Sequence, residues 1–265
     1  MKERLDILLL DRKLAKSREQ AKAFIMEGLV FVDEQISDKP GTKVDLDSKI
    51  VVKGDQCRYV SRGGLKLEKA IEVFKIDIKD RICVDIGAST GGFTDCMLQN
   101  GASKVYSIDV GYGQLDWKLR NDPRVVNIER CNVRYLDPDE IPDKAAFISI
   151  DVSFISLRLI LPVAASLLES DGSIVALIKP QFEAGRNQVG KKGIVRDPDV
   201  HEQVIFNVMD YCTENALYLK DLSWSPVKGA KGNIEYLLYV GKTGGLKYNH
   251  YEVKGLIDQA CEQLD

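Results

Sequence analysis

The chain has 265 residues, of which 45% are hydrophobic and 29% charged, a composition typical of a globular protein with a sizeable core. Its 37 basic and 40 acidic side chains give a formal net charge of −3, so overall charge offers no support for a nucleic-acid partner and any basic surface has to be local. With two histidines and six scattered cysteines, the sequence argues against a zinc site or a histidine-based triad.

No segment reaches the roughly 20 apolar residues of a membrane span. The apolar run at residues 7–10 is too short for a signal peptide, and no two cysteines form a C-x-x-C pair. We therefore expect a reduced, cytoplasmic protein with no membrane contact and no bound metal. The sequence leaves the oligomeric state open.

Residues 1–57 predict a small α+β domain with two helices followed by short strands. Ser17 has the position of an N-cap for the second helix, and Gly28 has the position of its left-handed end. The second helix and the strands are expected at residues 18–27, 29–32 and 44–52.

Five basic residues fall around these two helices: Arg12, Lys13, Lys16, Arg18 and Lys22. A solvated charged face is the ordinary interpretation of such a cluster. However, the patterns Leu-x-x-Ser-Arg-x-x-Ala, Ile-x-x-Gly-x-Val-x-Val and Lys-Pro-Gly within residues 4–53 resemble the RNA-binding module of ribosomal protein S-four. The resemblance favours RNA binding through these residues.

Residues 58–245 alternate predicted strands and helices, which indicates a Rossmann-like α/β fold with helices on both faces of a parallel sheet. Strands are expected at residues 82–87, 104–109, 125–130, 147–151 and 174–179, and a closing strand pair at 218–225 and 234–240. Helices are expected at residues 93–98 and 157–168. Residues 246–265 form a short amphipathic tail to which the sequence assigns no role.

The first strand runs into the glycine-rich turn Asp-Ile-Gly-Ala-Ser-Thr-Gly-Gly-Phe at residues 85–93. The spacing is not the G-x-G-x-x-G of dinucleotide enzymes, and a carboxylate at the strand end would repel a pyrophosphate. S-adenosylmethionine has no phosphate and carries cationic groups that a carboxylate favours. The turn therefore predicts this cofactor, with contacts from Asp85, Gly87, Ser89, Gly91, Gly92 and Phe93.

Two further residues are candidates for cofactor binding. Asp109 ends the second strand, at the usual place for a carboxylate that accepts the ribose hydroxyls of an adenosine ligand. Asn132 follows the third strand and is expected near the adenine edge. The alternative for each residue is an ordinary turn position.

Four charged residues stand next to core elements: Lys66, Asp151, Lys179 and Glu235. Each one alone is more often a surface charge. Because strand ends at one edge of a sheet converge, we expect the four side chains to meet beside the cofactor.

Here the chain resembles the TlyA family, historically labelled hemolysin A, whose large domain is of the FtsJ type. The motifs that carry the resemblance are YVSRGGLKL at 59–67, DIGASTGGFTD at 85–95, DVGYGQL at 109–115 and KPQFE at 179–183. The resemblance implies a class I methyltransferase that acts on a ribose 2′-hydroxyl of ribosomal RNA. The family's Lys-Asp-Lys-Glu tetrad falls on the four charged residues.

The resemblance also implies that ribosomal RNA or ribosomal subunits are the partner. Arg62 belongs to a group of basic residues at the start of the large domain and is therefore expected among the contacts. We expect Lys179 either to deprotonate the 2′-hydroxyl or only to orient it. Base flipping or a single-stranded target is expected, because a paired nucleotide cannot present its ribose to a buried site. Two other functions are a membrane-active hemolysin and a non-catalytic RNA-binding assembly factor. The absence of an apolar span argues against the first, and the intact tetrad against the second.

Overall fold

The computed structural model describes residues 2–15, 17–26, 28–52 and 58–264. The chain divides into two compact units, Met1–Arg62 and Gly63–Asp265, and each has its own hydrophobic core. Among the described residues, no helix has both the length and the apolar character needed to cross a membrane.

The first unit packs a pair of helices against short strands. Its described elements are β1 (Lys2–Arg4), α1 (Leu5–Asp11), α2 (Arg18–Met26), β2 (Val30–Val32), β3 (Gln35–Ile36), β4 (Lys43–Asp45) and β5 (Ile50–Val52). Strand β1 pairs with β4, and β2 lies between β3 and β5; all these pairs are antiparallel. The core consists of apolar side chains from both helices and the strands, including Leu5, Leu8, Leu9, Ala21, Ile25, Val30, Val44 and Ile50.

The predicted start and end of the second helix are confirmed. The Ser17 hydroxyl accepts a hydrogen bond from the Gln20 amide at 3.1 Å, as an N-cap does. Gly28 has a φ of +69°, the left-handed conformation that ends many helices. Asp33 and Glu34, both with positive φ, form the tight turn between β2 and β3.

The second unit alternates strands and helices. Its strands are β6 (Ile82–Ile86), β7 (Lys104–Ile108), β8 (Val125–Ile128), β9 (Ala145–Ile150), β10 (Leu168–Ile178), β11 (Tyr218–Trp224) and β12 (Tyr236–Gly241). Its helices are α3 (Gly63–Phe74), α4 (Gly92–Gln99), α5 (Trp117–Arg120), α6 (Leu161–Leu167), α7 (Pro180–Glu183), α8 (Pro198–Glu214) and α9 (His250–Leu264).

These strands form a seven-stranded sheet in the order β11-β12-β10-β9-β6-β7-β8. Strand β12 is antiparallel to both of its neighbours, whereas the other paired strands are parallel. The predicted α/β class is therefore confirmed, with a mixed rather than purely parallel sheet. Because β12 runs against β10, its first residue lies at the edge where the parallel strands end.

Two segments differ from or extend the sequence-based prediction. The single helix expected at 157–168 is a 3₁₀ turn at Leu157–Leu159 followed by α6, because Pro162 has no amide hydrogen to continue a helix from the preceding turn. The C-terminal segment forms α9, and its apolar side chains Val253, Leu256, Ile257 and Ala260 pack into the core of the second unit.

Candidate active site

The four charged residues predicted from the sequence lie together at one edge of the seven-stranded sheet. Asp151 directly follows β9, Lys179 directly follows β10, and Glu235 directly precedes β12. Lys66 reaches the same place from the first turn of α3. Their side chains are between 2% and 18% exposed, so the cluster is largely buried.

Ion pairs connect all four side chains. The Lys66 Nζ lies 2.7 Å from a Glu235 oxygen and 3.6 Å from Asp151 Oδ2. The Lys179 Nζ lies 2.5 Å from Asp151 Oδ1. Asp151 therefore sits between two ammonium groups, and two positive charges face two negative ones.

The electrostatics keep two members of the cluster charged. Burial lowers the pKa of Lys66, but the Asp151 and Glu235 carboxylates outweigh burial, and the pKa stands above its usual value. Burial raises the pKa of Asp151, but Lys66 and Lys179 outweigh it, and the pKa stands below its usual value. Lys66 therefore remains a cation and Asp151 an anion at neutral pH.

Residues that the sequence reasoning missed surround Lys179. The Ser153 hydroxyl accepts a hydrogen bond from Lys179 Nζ at 3.1 Å. Phe154, whose φ is +65°, is 91% exposed, and its ring centroid lies 5.0 Å from that of Phe182. The Phe182 ring is in turn 5.9 Å from Lys179 Nζ. The sequence contained a signal for these residues. Ser153 and Phe154 follow a strand-end aspartate, and Phe182 lies in the KPQFE motif.

The glycine-rich turn after β6 needs glycine for close packing. Gly87 has a φ of +88°, and an ideal β-carbon there would lie 2.5 Å from the Asp151 carbonyl oxygen. Gly91 has a φ of +95°, and its β-carbon would lie 2.2 Å from a Leu119 methyl group. Any other residue at Gly87 would push the turn away from the backbone of a charged-cluster residue. Gly92 and Phe93 begin α4 and are buried.

Asp85 does not face an open site. It is fully buried within β6, and its carboxylate accepts hydrogen bonds from Thr94 at 2.7 Å and Ser149 at 3.0 Å. Burial raises its pKa to about 7. The geometry therefore favours a supporting role, in which Asp85 joins β6 to α4 and β9, over the direct cofactor contact expected from the sequence.

Asp109 faces the turn. Its carboxylate accepts the backbone amides of Ser89 at 2.8 Å and Gly111 at 2.6 Å, and it is only partly buried. Asn132 is exposed, and its side chain caps a 3₁₀ turn by accepting the Arg134 amide at 3.2 Å. Asp109 and Ser89 thus meet at the predicted cofactor edge, whereas Asn132 has a local structural partner.

In the first unit, two predicted RNA-binding arginines already bind protein groups. The Arg12 guanidinium donates to the Ser48 carbonyl at 2.7 Å, and Arg18 Nε donates to Asp6 at 3.0 Å. Asp6 is fully buried, and hydrogen bonds, first from Arg4 and also from Arg18, lower its pKa to about 2.

The other predicted RNA-binding residues differ in exposure. Lys13 is exposed, and Lys22 and Arg62 are partly buried. Lys16 lies outside the described residues.

Comparisons with known proteins agree with this geometry. The family model of FtsJ-like methyltransferases matches residues 59–242, and that of the S4 domain matches residues 3–50. YqxC of Bacillus subtilis, named as a candidate rRNA methyltransferase, is 53% identical over 268 residues, covering 99% of this chain and 95% of that protein.

The 16S/23S rRNA (cytidine-2′-O)-methyltransferase TlyA of Mycobacterium tuberculosis is 44% identical over 238 residues, which is 89% of each chain. A solved structure from Streptococcus thermophilus, described as a candidate hemolysin, has a TM-score of 0.79 and 48% identity and covers 99% of this chain and 96% of its own.

Proposed function

Because the chain belongs to the FtsJ-like methyltransferase family, we propose that it transfers a methyl group from S-adenosylmethionine to a ribose 2′-hydroxyl of ribosomal RNA. The observation that carries the proposal is the buried cluster of Lys66, Asp151, Lys179 and Glu235 beside the glycine-rich turn. Ribosomal RNA as the substrate supports a cytoplasmic activity.

Lys179 is the residue that we assign to the ribose hydroxyl. Its ammonium is ion-paired with Asp151 and donates a hydrogen bond to Ser153, and an ammonium has three N–H groups, so donor capacity remains for a substrate oxygen. The raised pKa of Lys66 keeps it protonated, and the lowered pKa of Asp151 makes its carboxylate a weak base, so neither is a good proton acceptor. As the methyl group is transferred, the hydroxyl proton has to leave, and we assign its acceptance to Lys179 after the ammonium has released a proton to solvent, so that the amine becomes an ammonium again.

The residues of the turn fit an adenosine ligand. Each carboxylate oxygen of Asp109 accepts one backbone amide, which leaves further lone pairs for the two ribose hydroxyls. Ser89 stands exposed next to it, and Gly87 brings the turn against the backbone of Asp151. When bound there, S-adenosylmethionine supplies an electrophilic methyl group. The chain's task is to orient the acceptor oxygen toward it.

An exposed aromatic pair supports a nucleic-acid substrate. Phe154 is exposed, and its ring packs against that of Phe182, which in turn lies near Lys179 Nζ. An exposed ring at a reaction site is a platform on which an unstacked base can lie, and such stacking contributes about 1–3 kcal/mol per base. We therefore propose that the target base stacks on Phe154 while its ribose enters the charged cluster, as expected for a flipped or single-stranded nucleotide.

The proposal is tested by ribose methylation of ribosomal subunits. Lys179→Ala should lower the rate on the order of 10²–10⁴-fold, because the hydroxyl loses the group that orients and deprotonates it. RNA is not cleaved by alkali next to a 2′-O-methylated ribose. Alkaline hydrolysis of the product therefore distinguishes methylation of the ribose from methylation of a base. Lys144→Ala is the matched control, since Lys144 is exposed, lies outside the charged cluster and donates to the Ser166 carbonyl at 2.7 Å.

Calorimetry completes this test. S-adenosylmethionine should bind the wild-type chain and the Lys179→Ala variant with similar affinity. Turnover by Lys179→Ala close to that of Lys144→Ala would remove Lys179 from the mechanism. A wild-type chain that binds no S-adenosylmethionine would refute the function itself.

RNA docking by the first unit is best tested on its lysines. Arg12 and Arg18 make hydrogen bonds within the first unit. Replacing them would lower the stability of the domain, and a loss of RNA affinity could then not be assigned to lost RNA contacts. Lys13→Ala with Lys22→Ala should weaken RNA binding several-fold and reduce its salt dependence, because two phosphate contacts are lost, while the melting temperature stays unchanged. Equal RNA affinity and an equal salt slope would exclude these lysines from the interface.

A further inference from the structure

Glu235, the most deeply buried member of the charged cluster, is held by a loop that folds back over it. The loop joins β11 to β12 and is closed by the Ser225 amide, which donates to the Glu235 carbonyl at 2.8 Å. Within it, the Gly229 amide donates to the Asn233 carbonyl at 2.8 Å. Gly229 is thereby brought onto the carboxyl group of Glu235.

Gly229 has no room for a side chain. An ideal β-carbon there would lie 1.9 Å from Glu235 Oε1, 2.4 Å from Cδ and 3.0 Å from Cγ, whereas ordinary contact begins at 3.4 Å. The backbone at Gly229 is not in the left-handed region, so its conformation does not itself require glycine. Gly232 in the same loop is the opposite case, with a φ of +91° and open space around it.

The loop cannot easily move outward to make room. Asn233 is 2% exposed, and its side chain is hydrogen-bonded on both sides. Its Oδ1 accepts the Val195 amide at 3.1 Å, and its Nδ2 donates to the Gly193 carbonyl at 2.9 Å. A shift of the loop would leave these buried groups without partners, which is costly. A side chain at 229 would therefore displace the carboxylate of Glu235 rather than the loop.

We propose that Gly229 is a positioning residue for methyl transfer: the missing side chain reserves the volume in which the Glu235 carboxylate lies against Lys66. This role rests on the proposed function. To reach ordinary contact with a β-carbon, the carboxylate has to retreat by about 1.5 Å, the difference between 3.4 and 1.9 Å. The clash falls on Oε1 and Lys66 contacts Oε2 of the same carboxylate at 2.7 Å, so a displacement of this size changes the Lys66 pair and, through Lys66, its contact with Asp151.

Gly229→Ala is expected to lower kcat about 100-fold, the usual effect of a misplacement near 1 Å at a reacting centre. KM for RNA and the affinity for S-adenosylmethionine should stay within about 2-fold, because neither predicted binding surface is touched. Gly232→Asn is the comparison within the same loop: asparagine strains the backbone at a φ of +91° less than most residues, and the space there is open, so this variant reports loop strain without a clash at Glu235. Turnover by Gly229→Ala equal to that of Gly232→Asn would overturn the proposal.

A double-mutant cycle on melting temperature separates positioning from a general effect on the loop. In a Glu235→Ala background the clash is gone, so adding Gly229→Ala should no longer lower the melting temperature. An equal loss in both backgrounds would show that Gly229 serves only the loop. If Gly229→Ala does not fold, recovery of folding by Gly229→Ala with Glu235→Ala supports the proposal, and failure to recover overturns it. The cycle needs no activity, so it gives its answer even if the wild-type chain methylates no RNA.

Discussion

Asp85 and Asp151 stand at the ends of two neighbouring parallel strands, and their environments differ. Strands β6 and β9 pair in parallel, and the Asp151 amide donates to the carbonyl of Ile86, the residue after Asp85. The Asp85 carboxylate meets the hydroxyl groups of Thr94 and Ser149. The Asp151 carboxylate meets the ammonium groups of two lysines.

The partners decide the charge of each aspartate. Full burial raises the pKa of Asp85 to about 7, because its hydroxyl partners do not compensate for the loss of water. The negative charge of nearby Asp151 acts on this pKa in the same direction. Two lysines more than compensate for burial at Asp151, whose pKa falls below its usual value. Aspartates at similar topological positions therefore have separate tasks: Asp85 supports the turn, and Asp151 orders the reactive cluster.

Removing the charge of Asp151 is the change with the largest expected effect. Asp151→Asn replaces the carboxylate beside Lys179 with a neutral amide, so Lys179 keeps only neutral oxygens there, the amide and the Ser153 hydroxyl, and Lys66 loses one of two carboxylates. Methyl transfer should fall on the order of 10²–10⁴-fold. A buried cation that loses its partner also costs about 3–5 kcal/mol of unfolding free energy. Single-turnover kinetics and chemical denaturation measure the two effects.

The chain provides a matched control for Asp151→Asn. Asp143 precedes the same strand, and its carboxylate pairs with Lys104 at 2.8 Å, but both side chains are about one-third exposed or more. A half-exposed pair contributes between about 0 and 1 kcal/mol, so Asp143→Asn should leave turnover unchanged. If the two variants lost the same activity, the difference between the buried and the exposed pair would have no functional meaning.

The sequence predicted the fold and the membership of the charged cluster because both depend on spacing along the chain. Lys179 and Asp151 follow apolar strands, and the ends of parallel strands converge. Glu235 precedes its strand, yet it reaches the same edge because β12 runs antiparallel to β10. Alternation and strand ends therefore bring these three residues together, whereas Lys66 lies on a helix and was indicated by the tetrad of the family that the chain resembles.

Sequence does not show which group a side chain meets across space. Asp85 looks like a ligand of a cation, but its partner Ser149 lies 64 positions away on a neighbouring strand. Arg18 looks like an RNA contact, but it bonds to Asp6, buried beneath it. Gly229 resembles any loop glycine until a β-carbon is placed on it. Each of these cases depends on distances that packing sets.

The smallest expected effect is that of Asp85→Asn. Asparagine keeps the shape of the side chain and can still accept one hydroxyl and donate to the other, so methyl transfer should change less than about 10-fold. The informative measurement is stability against pH. The folded-state pKa of about 7 exceeds the ordinary 3.8, so between these pH values the folded chain holds a proton that the unfolded chain has released.

Protonated Asp85 therefore contributes to the unfolding free energy of the wild type. This contribution declines by up to about 4 kcal/mol as pH rises from about 4 to about 7, and it then levels off. Asp85→Asn lacks this contribution, so the stability of the variant relative to the wild type should increase as pH rises. His201 is buried with a lowered pKa and acts in the opposite direction, but it is common to both chains and cancels in the difference. Urea denaturation at pH 5, 6, 7 and 8 measures that difference. A difference in stability that does not change with pH would mean that Asp85 is ionised over the whole range. Asp85 and Asp151 would then differ in their hydrogen-bond and ion-pair partners but not in charge.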